Sequence, residues 1–320
     1  MDSITQGVLG AAIGEAILGK KIGNKGALVG AIVATIPDLD VLLFLFYDKL
    51  DMLSIHRGFS HSILCGILGA FLIAFVLNRT KWFATISFKK NLLFVWLCLF
   101  THTLLDTFTA YGTQLFLPFS NQRVGFDCIN VVDPLYTVPL IVGLVLSLWI
   151  YRKSDKRAVV NYYGLIISSA YLLLTLFNKQ QVEAAISAKF AEQNISYQSL
   201  LTMPVGIANL NWYGVAKGRD SLYMLHYSML EKEDYSIEAF PINESYLNEI
   251  DSTTAETMRW FAKGFYTVEK SQEGIRIYNL QVDMRGTIMA DDKKVPTAGY
   301  FEIKTAAGKS EFSSGTVGQE

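Results

Sequence analysis

The feature that most constrains this chain is a run of apolar stretches through its first 177 residues, roughly 5–19, 26–46, 60–77, 91–111, 131–150 and 161–177. Several approach the 17 to 25 residues that cross about 30 Å of hydrocarbon. A backbone placed there must satisfy its own hydrogen bonds, which in segments this long means helices. The texture changes after residue 177, where charged and apolar residues mix as in a globular domain. Of the 320 residues 51% are hydrophobic and only 18% charged, so the apolar excess lies in the first part. These observations predict an α-helical membrane domain of about five to six transmembrane or re-entrant helices, residues 1–177. A helical linker, 178–204, and an α+β domain with a small antiparallel sheet, 205–320, complete the expected organisation.

The first stretch is short and carries Gly7, Gly10, Gly14 and Glu15, which suits a partial or re-entrant helix with close packing. Met1-Asp2-Ser3 lacks the basic region of a cleavable signal peptide, so none is expected. Orientation follows from three alternate basic loops: Lys20, Lys21 and Lys25; Arg79, Lys81, Lys89 and Lys90; Arg152, Lys153, Lys156 and Arg157. The positive-inside rule makes that side cytoplasmic and sends loops 47–59 and 112–130, with the C-terminal domain, to the outer side of the cytoplasmic membrane. A net charge of −1 gives no electrostatic reason to expect a nucleic acid. The partners expected are the bilayer itself and a lipid or lipid-linked substrate. Three cysteines, Cys65, Cys98 and Cys128, imply no disulfide framework.

Set into this apolar chain is Pro37-Asp38-Leu39-Asp40, followed by His56-Arg57-Gly58-Phe59-Ser60-His61-Ser62. Ionisable side chains at bilayer depth cost several kcal/mol unless paired, metal-bound or facing a wet cavity, so the cluster is a functional hypothesis. Pro37 disfavours helix at the residue before it and removes a donor, predicting a broken segment whose backbone lines a cavity. The alternative is an ordinary surface loop with solvated aspartates. Neutral imidazole with carboxylate oxygen suits zinc, manganese or iron, and Arg57 matches either a carboxylate or a phosphate. In the fourth stretch His102 and Asp106 stand one helical turn apart, a spacing that serves one metal or a His–Asp hydrogen bond between helices. The loop beyond carries Arg123, Asp127 and Asp133.

A Pro-Asp-x-Asp break, a His-Arg-Gly-x-Ser-His-Ser element and a His-x-x-x-Asp-x-x-Thr helix followed by a glycine resemble the YdjM-like family of bacterial inner-membrane proteins. The family is described as metal-dependent hydrolases and also as LexA-binding. The resemblance covers about residues 1–135 and implies a divalent metal, with zinc or manganese favoured and magnesium or iron as options. Carried onto this chain, it marks Asp38, Asp40, His61, His102 and Asp106 as metal ligands, with His56 and Arg57 as catalytic groups. Many relatives have a histidine in the first stretch where Thr5-Gln6 stands here.

The function expected is hydrolysis of a phosphoester or head-group bond at the outer membrane face. One alternative is a non-catalytic metal-binding protein that recognises a partner. The other is an ion-coupled transporter, which predicts an inverted repeat that the sequence does not display.

After Pro204, alternating strands at 210–216 and 221–228, and again at 260–270 and 274–283, read as hairpins around polar turns, with a helix over 243–263 between them.

Overall fold

A computed structural model of the chain describes residues 1–230, 235–272, 274–281, 296–297, 299–306 and 309–317. The chain divides into two units, Met1–Leu43 with Ile55–Phe177, and Phe44–Ser54 with Asn178–Glu320. The first unit is helical. Helix α1 covers Ser3–Ile22, α2 Asn24–Thr35, α4 Ile63–Asn78, α5 Phe88–Thr107 and α6 Pro134–Val145, which ends in a π-helical turn, Leu146–Ile150. A short helix α3, Lys49–Ile55, lies mostly in the stretch grouped with the second unit.

Helix α1, expected as a partial or re-entrant element, is a full 20-residue helix whose residues are largely buried against α2, α5 and α6. Its glycines explain the position. A Cβ on Gly10 would meet the Gly30 carbonyl oxygen at 2.3 Å, and one on Gly14 would meet that of Gly26 at 2.1 Å. The α1 and α2 backbones therefore touch, as only small residues permit. Polar groups close the other sides: Asn161 Nδ2 donates to the Ala12 carbonyl at 2.9 Å, and Arg157 forks onto Glu15 with two bonds of 2.6 Å.

Helix α2 stops at Thr35 because Pro37 cannot donate to the helix, and the chain continues as a 3-10 helix, Pro37–Leu45, bent by 49° from α2. A second bend of 54° separates Lys49–His61 from α4, whose start is capped by Ser62 Oγ accepting from the Cys65 amide at 3.1 Å. Among the described residues, one helix, α7 (Lys156–Glu192), is long and apolar enough to cross a membrane, or three spans if each bent pair counts as one. At 37 residues α7 is about 55 Å long, and its later turns belong to the second unit.

The second unit differs from the single small sheet expected: it holds two four-stranded antiparallel meanders. In the first, β1 (Ser199–Val205), β2 (Asn211–Lys217), β3 (Ser221–Ser228) and β4 (Ile237–Pro241) pair in chain order. The second follows the same order with β5 (Tyr266–Lys270), β6 (Gly274–Asn279), β7 (Gly299–Ala306) and β8 (Lys309–Thr316). The hairpin β2–β3 gains a strand on each side, whereas β5–β6 is extended on the β6 side alone, by β7 and then β8. The helix expected over 243–263 is two pieces, a 3-10 turn at Glu244–Glu249 and α8, Ser252–Phe261. They divide where Asp251 caps α8 by accepting from the Thr254 amide at 2.8 Å. The end of α7 packs Ile186 onto β2 at Gly214, where a Cβ would meet Ile186 Cγ2 at 2.7 Å.

Candidate metal centre

Three elements of the helical unit converge on one point. The break after α2 presents Asp38, the 3-10 turn Phe59–His61 before α4 presents His61, and one turn of α5 presents His102 and Asp106. One ligand atom from each of the four lies within 4.8 Å of all the others. The Nε2 atoms of His61 and His102 face one another at 3.1 Å. Asp38 Oδ1 stands 3.5 Å from the first and 3.4 Å from the second, and Asp106 Oδ2 stands 3.3 and 3.6 Å away. The side chains of His61, His102 and Asp106 are fully buried, while that of Asp38 keeps 19% exposure, so the site opens on the Asp38 side.

Three of the four ligand atoms, on Asp106, Asp38 and His61, are aimed by what holds the rest of the side chain. Asp106 Oδ1 receives the Met1 amino group, Gln6 Nε2 at 3.1 Å and, at 3.3 Å, the Arg57 guanidinium. Its Oδ2 has no hydrogen-bond partner among the described residues. Asp38 repeats the arrangement, with Oδ2 accepting from Ser3 Oγ at 3.0 Å and Oδ1 turned to the imidazoles. Gln6 thus reaches the site through Asp106. For His61, Nδ1 lies 2.9 Å from Ser60 Oγ, and that hydroxyl donates to Asp40 Oδ2 at 2.8 Å. A proton on His61 Nδ1 fits this chain and leaves Nε2 to a metal. The Nδ1 of His102 has no hydrogen-bond partner among the described residues.

Asp40 lies beside the four rather than among them. Its carboxylate accepts from the Arg57 amide at 3.0 Å as well as from Ser60, and bonds His56 Nδ1 at 2.9 Å. His56, one-third exposed, sets its ring edge-on to His61 with centroids 6.3 Å apart. Arg57 adopts φ 56°, a left-handed backbone that is uncommon for a residue with a side chain. That turn sends its amide to Asp40 and its guanidinium the other way, where Nη1 donates to Thr109 Oγ1 at 2.9 Å and Nη2 faces Asp106. The buried Nε of Arg57 has no hydrogen-bond partner among the described residues.

Sequence reasoning left Tyr111 and Arg123 without a role. The guanidiniums of Arg57 and Arg123 lie 5.2 and 4.3 Å from the centre of the Tyr111 ring, a cation–π arrangement that gathers two buried arginines beside the four ligands. An aromatic in the turn just beyond α5, followed by an arginine in the same loop, was the available signal. Asp133, from the loop beyond α5, caps α6 by accepting from the Leu135 amide at 2.9 Å and accepts from the Tyr171 hydroxyl at 2.8 Å.

Two carboxylates and two neutral imidazoles carry charge −2, which matches a divalent cation. The unpaired Asp106 Oδ2 and the lone pair on His61 Nε2 are the donor atoms such an ion requires, so the residues present fit a metal.

The family described as YdjM inner membrane protein matches residues 1–182, a stretch that contains every residue of the site. Among curated proteins, the uncharacterized protein YfhP of Bacillus subtilis (strain 168) is 29% identical over 190 residues, 57% of this chain and 56% of YfhP. The chain thus spans just over half the length of that relative. The inner membrane protein YbcI of Escherichia coli (strain K12) is 32% identical over 122 residues, 38% of this chain and 69% of YbcI. No solved structure matches the chain. With more than half of its residues matched by the family, this chain belongs to the YdjM inner membrane protein family.

Proposed function

We propose that this protein is a membrane-bound, metal-dependent hydrolase that cleaves a phosphoester or head-group bond of a lipid or lipid-linked substrate at the outer face of the cytoplasmic membrane. The observation that carries the reading is the convergence of His61, His102, Asp38 and Asp106 beside an arginine, with the imidazole nitrogens 3.1 Å apart and each 3.3 to 3.6 Å from the two carboxylate oxygens. Four ligands about 2.0 to 2.2 Å from a central ion stand about 3.3 to 3.6 Å apart in a tetrahedron, whereas adjacent ligands of octahedral magnesium stand about 3 Å apart. Zinc is therefore the metal proposed, with manganese or iron next.

A divalent cation bound there supplies Lewis acidity, polarising the scissile group and acidifying a water. The chain's own residues supply the rest. Arg57, with Nε unpaired and Nη2 at Asp106, binds negative charge on the substrate. His56, its Nδ1 held by Asp40, keeps Nε2 available to move a proton from the exposed side. Asp40 is the positioning residue for both His56 and His61. The outward orientation rests on the basic loops.

A second reading draws on the same observation: four protein ligands fill a tetrahedron, as structural zinc sites do, which favours a non-catalytic metal serving partner binding. Metal analysis of the detergent-purified full chain, followed by assay on phosphatidic acid and other lipid phosphates, separates the two. Near-stoichiometric zinc that His61→Ala and Asp106→Ala both lose, with turnover lost by His56→Ala or Arg57→Ala while zinc is kept, supports the hydrolase. Stoichiometric zinc without turnover favours the second reading, and folded protein that takes up no divalent ion overturns both.

A further inference from the structure

The first sheet of the second unit stands alongside the later turns of α7, and its two ends differ in character. Asn178, which follows the apolar stretch of α7 that closes at Phe177, donates from Nδ2 to Asn209 Oδ1 at 3.0 Å. Lys179 donates from Nζ to the Thr202 carbonyl at 2.6 Å. About 12 Å further along the helix, Ile186 lies against Gly214 in the middle of β2. The sheet therefore runs along α7, and its β1–β2 turn lies where the helix becomes polar. That turn is Gly206-Ile207-Ala208-Asn209. Beside it β3 ends in Met229 and Leu230, with the Met229 amide donating to the Leu210 carbonyl at 2.9 Å. None of these residues is charged. The opposite end of the same strands, about 20 Å away, turns through Lys217-Gly218-Arg219-Asp220.

We propose that this uncharged end is a membrane-docking tip: Ile207, Met229 and Leu230 enter the boundary between head groups and acyl chains in the leaflet from which α7 emerges. The inference rests on α7 crossing the membrane and is independent of the hydrolase reading. Ile207 is 65% exposed, Leu230 74% and Met229 36%. A single exposed apolar side chain is ordinary, but these three share one end of a sheet whose other end is charged. Turns are mostly built from glycine, proline, asparagine, aspartate and serine, and an outward isoleucine is out of keeping with water around it. Continuity identifies the bilayer as the occupant. Leu173, Leu174 and Phe177 are the last exposed apolar side chains of α7 before Asn178, and Asn178 is the residue bonded to the turn. The sequence after Leu230, Glu231-Lys232-Glu233-Asp234, is charged, which limits the insertion to the boundary. A unit attached through one helix can tilt and turn with that helix. A second contact, made with the bilayer itself, fixes the strands of the first sheet relative to the membrane surface.

The test uses the full chain in vesicles of phosphatidylethanolamine and phosphatidylglycerol, with a nitroxide label at Ile207→Cys, Leu230→Cys or, at the charged end, Arg219→Cys. Cys65→Ser is the common background, since Cys98 and Cys128 are buried. Collision of the label with oxygen, which concentrates in hydrocarbon, is compared with collision with a water-soluble nickel chelate. The expected result is that oxygen exceeds the chelate several-fold at positions 207 and 230, and that the ratio reverses at 219. The same ratio at all three positions, a tip in water, overturns the proposal. Labels at 207 and 230 shielded from both reagents, a tip covered by protein, also overturn it, and dipolar broadening would then identify a second copy. On the unaltered chain, a diazirine-bearing phosphatidylglycerol should give adducts in the peptide 206–210 and not in 217–221. Absence of adducts from 206–210 overturns the docking even where a cysteine variant fails to fold. Neither readout involves metal or turnover, so failure of the hydrolase reading and failure of the tip are seen separately.

Discussion

Two helix pairs in the membrane unit use glycine for opposite ends. In α1 and α2, Gly10 and Gly14 meet Gly30 and Gly26 face to face, and the backbones close until no side chain fits. In α4 and α5, Gly66 faces Trp96, Leu99 and Phe100 across a gap, and the space stays open. The comparison shows that what a glycine does to packing depends on its partner across the interface. The candidate metal site sits where the two pairs meet: the tight pair leads into Asp38 and, with Met1 just before it, supplies Gln6 to hold Asp106, while His61 stands in the turn just before α4 and His102 on α5.

The largest expected effect breaks the tight side. Gly14→Leu puts a side chain into the Gly26 carbonyl and separates α1 from α2 along their whole crossing, at more than about 3 kcal/mol of the 5 to 15 that hold a typical domain. Thermal unfolding in detergent should show loss of the folded protein. A smaller loss, about 1 to 3 kcal/mol, is expected for Glu15→Ala, which leaves the partly buried Arg157 without its carboxylate. Glu15→Gln should recover part of it.

At the junction, Asp40→Asn keeps the four ligands but removes the carboxylate that orients His61 through Ser60. Metal affinity should fall about 10- to 100-fold by competition against a chelator, less than the complete loss expected for Asp106→Ala. The smallest effect has the opposite sign. Gly66→Ala meets no atom, so it should stabilise the protein by about 0.5 to 1 kcal/mol through helix propensity alone. Destabilisation there would mean that the α4 and α5 backbones approach as closely as α1 and α2.

What the sequence made legible follows the range of each signal. Proline before Asp38 marks a break locally, and His102 with Asp106 share a helix face by period alone. The fork from Arg157 to Glu15 joins positions 142 apart, and nothing in local pattern announces it. The same holds for Gln6, which reaches Asp106 from 100 positions away, and for Tyr111 with Arg123, whose pairing depends on how the loop after α5 returns. In the second unit the hairpins β2–β3 and β5–β6 were legible because their turns are short and polar. The flanking strands lack that cue: β1 contains Pro204, and part of the link from β6 to β7 lies outside the described residues.

The facing Nε2 atoms belong to His61, in the 3-10 turn that leads into α4, and His102, on α5, and this ties two equilibria together. Anything that holds α4 and α5 at the spacing an ion prefers tightens the ion, and by thermodynamic linkage the ion returns the same factor. A tenfold gain would be about 1.4 kcal/mol in either direction. Measured in vesicles and in detergent, metal affinity would then report on the lipid around the protein as well as on the four ligands.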